Sequence, residues 1–111
     1  MDDILGESRE LGRRISKSDI YADYCAAFER VKDNTELLAR IAKFKRVQID
    51  YSRDGLSFDQ EKHLSKLFFD LNANPTAAQF LEAEKKMLAL MLEVYENLWA
   101  DCDVAIGEGI L

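Results

Sequence analysis

The chain has 111 residues, of which 48% are hydrophobic and 32% are charged, so we predict one folded domain over residues 1–111 and exclude a disordered chain. Its formal charge of -6, from 15 Lys and Arg against 21 Asp and Glu, disfavours direct binding of nucleic acid through the phosphates. The longest purely apolar run covers only residues 87–92 and the chain opens with acidic residues, so we predict neither a membrane span nor a secretory signal and expect a cytoplasmic protein.

Two cysteines, Cys25 and Cys102, lie far apart and lack the spacing of a zinc site or a disulfide framework. We therefore predict that each is a small buried side chain in a reducing compartment. Because the chain has one proline and five glycines, helix breakers are few, and the predicted elements are defined by caps and by the period of the apolar residues.

The first two predicted helices cover about residues 3–16 and 19–32. Ser18 supplies a hydroxyl that can cap the second helix. Apolar residues lie on one face of both helices, together with Ser8 in the first, and in the second helix they recur at a spacing of three and four. They are Ile4, Leu5, Leu11 and Ile15 in the first helix and Tyr21, Tyr24, Phe28 and Val31 in the second.

The next two predicted helices cover about residues 35–51 and 58–71. Asp33 or Asn34 can cap the third helix, and Ser57 with Gln60 forms a capping box for the fourth. The predicted buried faces are Leu37, Leu38, Ile41, Phe44, Val47 and Tyr51 in the third helix and Phe58, Leu64, Leu67, Phe68 and Leu71 in the fourth.

The fifth predicted helix starts at Asn74-Pro75 and meets no breaker before Gly107, so we expect it to cover residues 75–106. At about 1.5 Å per residue it would be roughly 45–50 Å long. A compact domain of this size has a radius of gyration of only ~13 Å, so the helix must overhang its domain or bend. Its segment 87–99 is apolar around most of its circumference, which indicates burial on several sides.

These features predict an all-α protein, a five-helix bundle with a long C-terminal helix that dimerises through helix packing. The alternative is a bent fifth helix at the centre of a monomeric bundle. The residues that we expect in the core or in the interface are Phe80, Leu81, Met87, Leu88, Met91, Tyr95, Leu98 and Trp99.

The segment 50–61 has the spacing of an EF-hand calcium loop between two predicted helices, with Gly55 at the position of the sharp turn. The possible oxygen donors are Asp50, Ser52, Asp54 and Glu61. Against a calcium site stand the polar Ser57, where such loops place an apolar residue that pairs with a second hand, and the lack of a second loop. We therefore predict no metal site and keep a calcium-responsive binding module as the alternative function.

No set of residues in the sequence indicates catalysis. His63 is the only histidine, and Asp59 lies one turn before it, which is common on a solvated helix face. Glu82, Glu93 and Glu96 lack the Glu-x-x-His pairs that a di-iron bundle needs. We predict that the chain is not an enzyme and uses no cofactor.

Three short patterns occur in the order and at the spacing of a known family. They are L-x3-I-S-x-S-x2-Y-x2-Y over residues 11–24, F-x3-Q over residues 44–48 and N-P-x4-F-L-x-A-E over residues 74–84. Together with the chain length, they make the sequence resemble the YlbF/YmcA family of small bacterial proteins, which also includes YheA, over about residues 3–106.

The resemblance implies a cytoplasmic all-helical bundle, dimeric or larger, with a regulatory and non-enzymatic role. Members of the best-known branch join a partner complex that affects competence, sporulation and biofilm formation and assists messenger-RNA maturation by ribonuclease Y. For this chain we expect an adaptor that binds copies of itself and paralogous or RNA-processing proteins, and neither nucleic acid nor a membrane. The resemblance does not separate this branch from a YheA-like branch, and it supplies no catalytic residues.

Overall fold

The structure is a computed structural model that describes residues 2–53 and 55–102. Over these ranges the chain contains α-helices and no strand, which confirms the predicted all-α class. The helices are α1 (Asp2–Ser16), α2 (Asp19–Val31), α3 (Thr35–Ser52), α4 (Phe58–Asn72) and α5 (Pro75–Trp99).

The helices α2 to α5 begin at side chains that accept hydrogen bonds from otherwise unpaired backbone N–H groups. Ser18 accepts from Tyr21 at 3.2 Å, and Asn34 accepts from Leu37 at 3.0 Å. Ser57 and Gln60 exchange two bonds of 3.1 Å in the predicted capping box. Asn74 likewise caps α5, with Pro75 as the first helical residue. The predicted helix starts are therefore confirmed.

The hydrophobic core lies where the last turns of α2 and α4 meet the first turns of α3 and α5. Its buried residues are Ala27, Val31, Leu37, Ile41, Leu71, Ala77 and Phe80. The Phe80 ring lies 5.8 Å from the Tyr24 ring and 6.2 Å from the Phe28 ring, centroid to centroid. Because this core surrounds only the first turns of α5, the rest of that helix extends away from it.

The molecule is flat and elongated, with principal extents of 47, 35 and 17 Å. Its radius of gyration is 17.5 Å, against ~13 Å for a compact chain of similar length. Its accessible surface is 8926 Å² for a mass of 12.7 kDa, whereas a compact monomer of that mass exposes about 6200 Å². The fold therefore leaves a large surface uncovered. Within the described ranges, no helix combines the length and the hydropathy that crossing a bilayer requires.

The predicted end of the fifth helix was wrong, because α5 ends at Trp99 rather than near residue 106. The N–H of Ala100 donates to the Asn97 carbonyl, and that of Cys102 donates to the Trp99 carbonyl. The helix therefore ends in tight turns. The last turn of α5 has no basic residue, and carboxylates near a helix C-terminus oppose the helix dipole. The predicted extension over residues 103–106 lies outside the described residues.

Several predictions of burial were also wrong, and one of them is that of Phe68, which is 38% exposed. Phe58 is 78% exposed, because it is the first residue of α4 and lies at the end of that helix remote from the core. Cys25 and Cys102 are both exposed. On α2 the core side carries Tyr24, Ala27 and Val31, and Cys25 lies about 100° around the helix from Tyr24.

Candidate helix-docking surface

The exposed apolar residues of α5 lie in the second half of the helix, and Leu92, which is 57% exposed, lies beside the line that the other four form. Leu88, Met91, Tyr95 and Leu98 recur at a spacing of three, four and three residues. Their exposed fractions are 62%, 43%, 45% and 62%. We call these four residues the α5 seam. This spacing is that of the a and d positions of a heptad, which in other helices pack against a second helix.

The residues predicted for the core or the interface divide into two groups. Phe80 is buried, and Leu81, Met87 and Trp99 are half-buried. The other four predicted residues are the α5 seam, and the described part of the chain leaves them 43–62% exposed. Their assignment to an interface therefore stays a prediction.

A groove runs between α3, α4 and α5, next to the seam, and has a volume of about 770 Å³. Its apolar lining is Phe44, Leu64, Phe68, Phe69, Leu81 and Leu88. The rings of Phe44 and Phe68 pack edge to face at 5.7 Å, a favourable aromatic geometry. Leu88 belongs both to the groove and to the seam, so the two form one continuous apolar surface.

An ion pair holds α3 to α5 at the edge of this groove. Lys45 binds the carboxylate of Glu84, whose side chain is only 18% exposed. The Lys45 ammonium also lies 5.5 Å from the centre of the Phe80 ring, within cation–π range. Lys45 thus connects the core residue Phe80 with a charged residue that lines the groove.

The charges along α5 are unevenly distributed. Lys85 and Lys86 precede the seam, whereas Glu93 and Glu96 lie beside it, and Asp101 follows the helix. Near the groove the helix carries both signs, because Glu82 and Glu84 lie beside these lysines, whereas its far end is acidic. The side chains of the two lysines, Glu93, Glu96 and Asp101 are all exposed.

Sequence reasoning missed part of this surface, notably Phe69, which is 74% exposed and lines the groove. A signal was present in the adjacent pair Phe68-Phe69. Two consecutive helical residues point about 100° apart, so one of the two rings had to leave the stripe that faces the core. The groove itself is built from three helices and has no signature in any single segment.

The possible calcium ligands belong mainly to helices. Asp50 and Ser52 lie in the last turn of α3, where the Ser52 hydroxyl donates to the Ile49 carbonyl at 2.8 Å. Glu61 lies in the first turn of α4, and Asp54 lies outside the described residues. No group of three or more His, Cys, Asp or Glu side chains that could hold a metal occurs within residues 2–53 and 55–102.

We still expect no calcium binding, because Ser at the third loop position and the lack of a paired hand leave the site weak. Calorimetric titration of calcium into the protein should give only heat of dilution, and millimolar calcium should not shift the melting temperature. A dissociation constant at or below roughly 10 μM, abolished by Glu61→Gln, would contradict this and support a calcium-responsive module.

Two further polar contacts lie away from the groove. The Tyr51 hydroxyl and Nδ1 of His63 are 2.6 Å apart and join the end of α3 to α4 by a hydrogen bond. His63 is exposed, as predicted, and its hydrogen-bond partner is the phenol of Tyr51. On α2, the neighbouring Cys25 thiol raises the pKa of the Tyr21 phenol above its ordinary value. Neither contact forms an enclosed site.

Comparison with known proteins identifies the family of this chain. Residues 4–100 match the family model described as "Control of competence regulator ComK, YlbF/YmcA". The chain is also similar to a UPF0342 protein of Desulfitobacterium hafniense (strain Y51), with 27% identity over 113 residues, which covers 97% of this chain and 85% of that protein. No solved structure matches the chain. Because the family match extends from the first turn of α1 to the end of α5, the chain belongs to the YlbF/YmcA family.

Proposed function

We propose that this protein is a non-enzymatic regulatory adaptor that acts by binding other protein chains through helix-to-helix contacts. The observation that carries the proposal is the continuous apolar surface formed by the α5 seam and the groove. Contiguous exposed apolar surface is costly in water, and in folded proteins it commonly marks a site of protein interaction. An adaptor needs such a surface and needs no catalytic group.

The family description supports a regulatory role, since it names the control of a competence regulator, ComK. The side chains that the structure brings together also support a binding role rather than a catalytic one. The single histidine, His63, bonds to Tyr51, and the groove is lined chiefly by leucine and phenylalanine. A groove of this composition binds apolar side chains, as in helix-in-groove recognition.

The partners that we propose are copies of this chain, paralogous chains and proteins of RNA processing. The net charge of -6 makes a protein partner more favourable than RNA, because an acidic chain releases few counterions on approaching phosphates. The purified protein should therefore leave the mobility of labelled RNA unchanged at moderate salt. Tight, salt-sensitive RNA binding by the isolated chain would contradict this part of the proposal.

Affinity capture from the native cells tests the protein partners. The wild-type chain should return at least one paralogue or ribonuclease-associated protein, and the Leu88→Asp variant should lose it because the charge lies in the shared part of seam and groove. Phe58→Asp is the matched control, since Phe58 is exposed but outside the groove. If repeated captures with crosslinking return only the protein itself, the adaptor role is wrong and a self-contained homo-oligomer describes the protein better.

A further inference from the structure

We infer that the groove between α3, α4 and α5 binds a single-chain amphiphile with a carboxylate head group, namely a fatty acid. The apolar lining of the groove takes the hydrocarbon chain, and Lys85 binds the carboxylate at the edge of the groove. The inference goes beyond the proposed function, because it concerns a small molecule and is tested on the purified chain without any partner.

The first argument is the size and composition of the groove. Its volume of about 770 Å³ lies within the range of about 300–1,000 Å³ that is usual for ligand pockets. Leucine and phenylalanine make up more than half of its lining. A hydrocarbon chain gains a similar free energy for each methylene that leaves water, so it needs an apolar surface of this kind and no fixed pattern of hydrogen bonds.

The second argument is the elongated shape of the groove. On α4 the lining extends from Leu64 to Asn72, which is about 12 Å along the helix axis. On α5 it extends from Leu81 to Leu88, about 10 Å. The α5 seam continues this apolar surface to Leu98. A long and narrow apolar surface fits an extended chain of methylenes better than a compact ligand.

The third argument is the charge balance of the groove. Two charged residues line it, Glu84 and Lys85. Glu84 is bound by Lys45 of α3 and is only 18% exposed, so its charge is compensated within the fold. No ion pair within residues 2–53 and 55–102 includes Lys85. The groove therefore presents one uncompensated positive charge beside an apolar surface, and an anion with an apolar tail complements both.

The position of Lys85 on α5 suits it for this contact. It lies four residues after Leu81 and three before Leu88, so the three residues share the face of α5 that borders the groove. Lys85 is exposed, and a lysine stem can lie on apolar neighbours while its ammonium stays in water. By contrast, Glu82 and Lys86 line a separate groove between α2 and α5.

Uncharged polar groups complete the edge of the groove. Gln48, Ser65 and Asn72 belong to its lining, and their amide and hydroxyl groups can donate hydrogen bonds to a carboxylate. One cation with neutral donors matches the single charge of a carboxylate better than the double charge of a phosphate.

Binding of a fatty acid would also regulate the docking surface. The groove is part of the surface proposed for protein contacts, so a bound fatty acid and a partner chain would exclude each other. This consequence rests on the proposed function, whereas the binding of the fatty acid does not.

Calorimetric titration of dodecanoate into the full chain, below the concentration at which micelles form, tests the binding. The dissociation constant should be at or below roughly 100 μM. The affinity should rise about two- to four-fold for each methylene added between decanoate and dodecanoate, because each one is largely removed from water. Absence of binding at about 1 mM dodecanoate overturns the inference, and so does an affinity that is independent of chain length.

Charge reversal tests the role of Lys85. Lys85→Glu should weaken dodecanoate binding at least about ten-fold, because an attraction beside an apolar surface becomes a repulsion, and should leave the binding of the neutral dodecanol unchanged. Lys86→Glu is the matched control, since it alters the net charge equally at the adjacent residue, which lines the other groove. Equal losses in the two variants overturn the inference, as does a wild-type chain that binds dodecanol as tightly as dodecanoate.

A second pair of variants tests the apolar lining. Phe69 and Phe58 are 74% and 78% exposed, so replacing either by serine leaves the core intact, but only Phe69 lines the groove. Phe69→Ser should weaken the binding of both dodecanoate and dodecanol about five-fold, and Phe58→Ser should change neither. Unchanged binding in Phe69→Ser overturns the inference.

The proposed function fails or stands independently of these results. If dodecanoate does not bind while Lys85→Glu prevents the capture of a partner chain, Lys85 serves an acidic protein partner. The inference is then wrong and the adaptor role remains. If dodecanoate binds as described and no partner is captured, the ligand site is confirmed and the adaptor role is wrong.

Discussion

Replacing Phe80 by alanine is expected to lower the free energy of unfolding by about 3–5 kcal/mol. Phe80 is 4% exposed and is the largest side chain of the core. Its ring contacts those of Tyr24 and Phe28 and lies under the Lys45 ammonium. Since small domains are stable by only about 5–15 kcal/mol, this one truncation should leave the protein marginally folded. Urea unfolding followed by circular dichroism measures the change.

Phe58→Ala is the matched control for this experiment. It removes the same side chain from a position that is 78% exposed, and surface substitutions of this kind usually change stability by about 0.5 kcal/mol or less. Both variants should be compared with wild type at one protein concentration, because the proposed self-association would make unfolding depend on that concentration. Equal losses of stability at the two positions would contradict the described core.

Replacing Ala77 by leucine is expected to lower the free energy of unfolding by about 3 kcal/mol, at the upper end of the usual cost of overpacking. Ala77 is fully buried on α5, and Ala27 is buried on α2. These two helices form the most extensive helix pair of the fold. Small side chains on both helices allow their close approach, and the additional carbons of leucine would force the helices apart.

Ala89→Leu is the control for Ala77→Leu, because it makes the same change at an exposed position of the same helix. Leucine and alanine both have high helix propensity, so the stability of this variant should stay close to that of wild type. Urea unfolding of both variants under identical conditions measures the two free energies of unfolding to be compared. If Ala77→Leu proved as stable as Ala89→Leu, α2 and α5 would have to be further apart than described.

The position of the core explains why stability and assembly can be tested separately. Phe80 and Ala77 lie in the first turns of α5, within the core, whereas Met91 and Leu98 lie in the second half of the helix. A helix anchored at one end by its own domain can present the other end to a partner. Substitutions in the first half should therefore act mainly on folding, and those in the exposed seam mainly on association.

Local chemistry determined the helices, and this could be predicted from the sequence. A cap depends on a side chain and a backbone N–H within three residues of each other, so Ser18, Ser57 and Asn74 were sufficient to locate three helix starts. For the third helix the sequence offered Asp33 or Asn34, and the structure has Asn34 as the cap. The apolar residues of the fifth helix likewise marked Phe80 and the four seam residues as core or interface, but the pattern over residues 87–99 singled out no one face. Whether the rest of the chain covers a given helix face depends on the packing of helices that are distant in sequence.

Tertiary structure alone decided which apolar residues are covered and which form the candidate docking surface. The sequence predicted burial for both Phe58 and Leu71 on α4, yet only Leu71 lies at the end of the helix where four helix ends meet. The groove brings Phe44, Phe69 and Leu81 together from three helices, and Lys45 reaches Glu84 across a separation of 39 residues. These arrangements depend on how helices cross and where each one stops, which arises from packing over the whole chain and is not encoded in any single helical repeat.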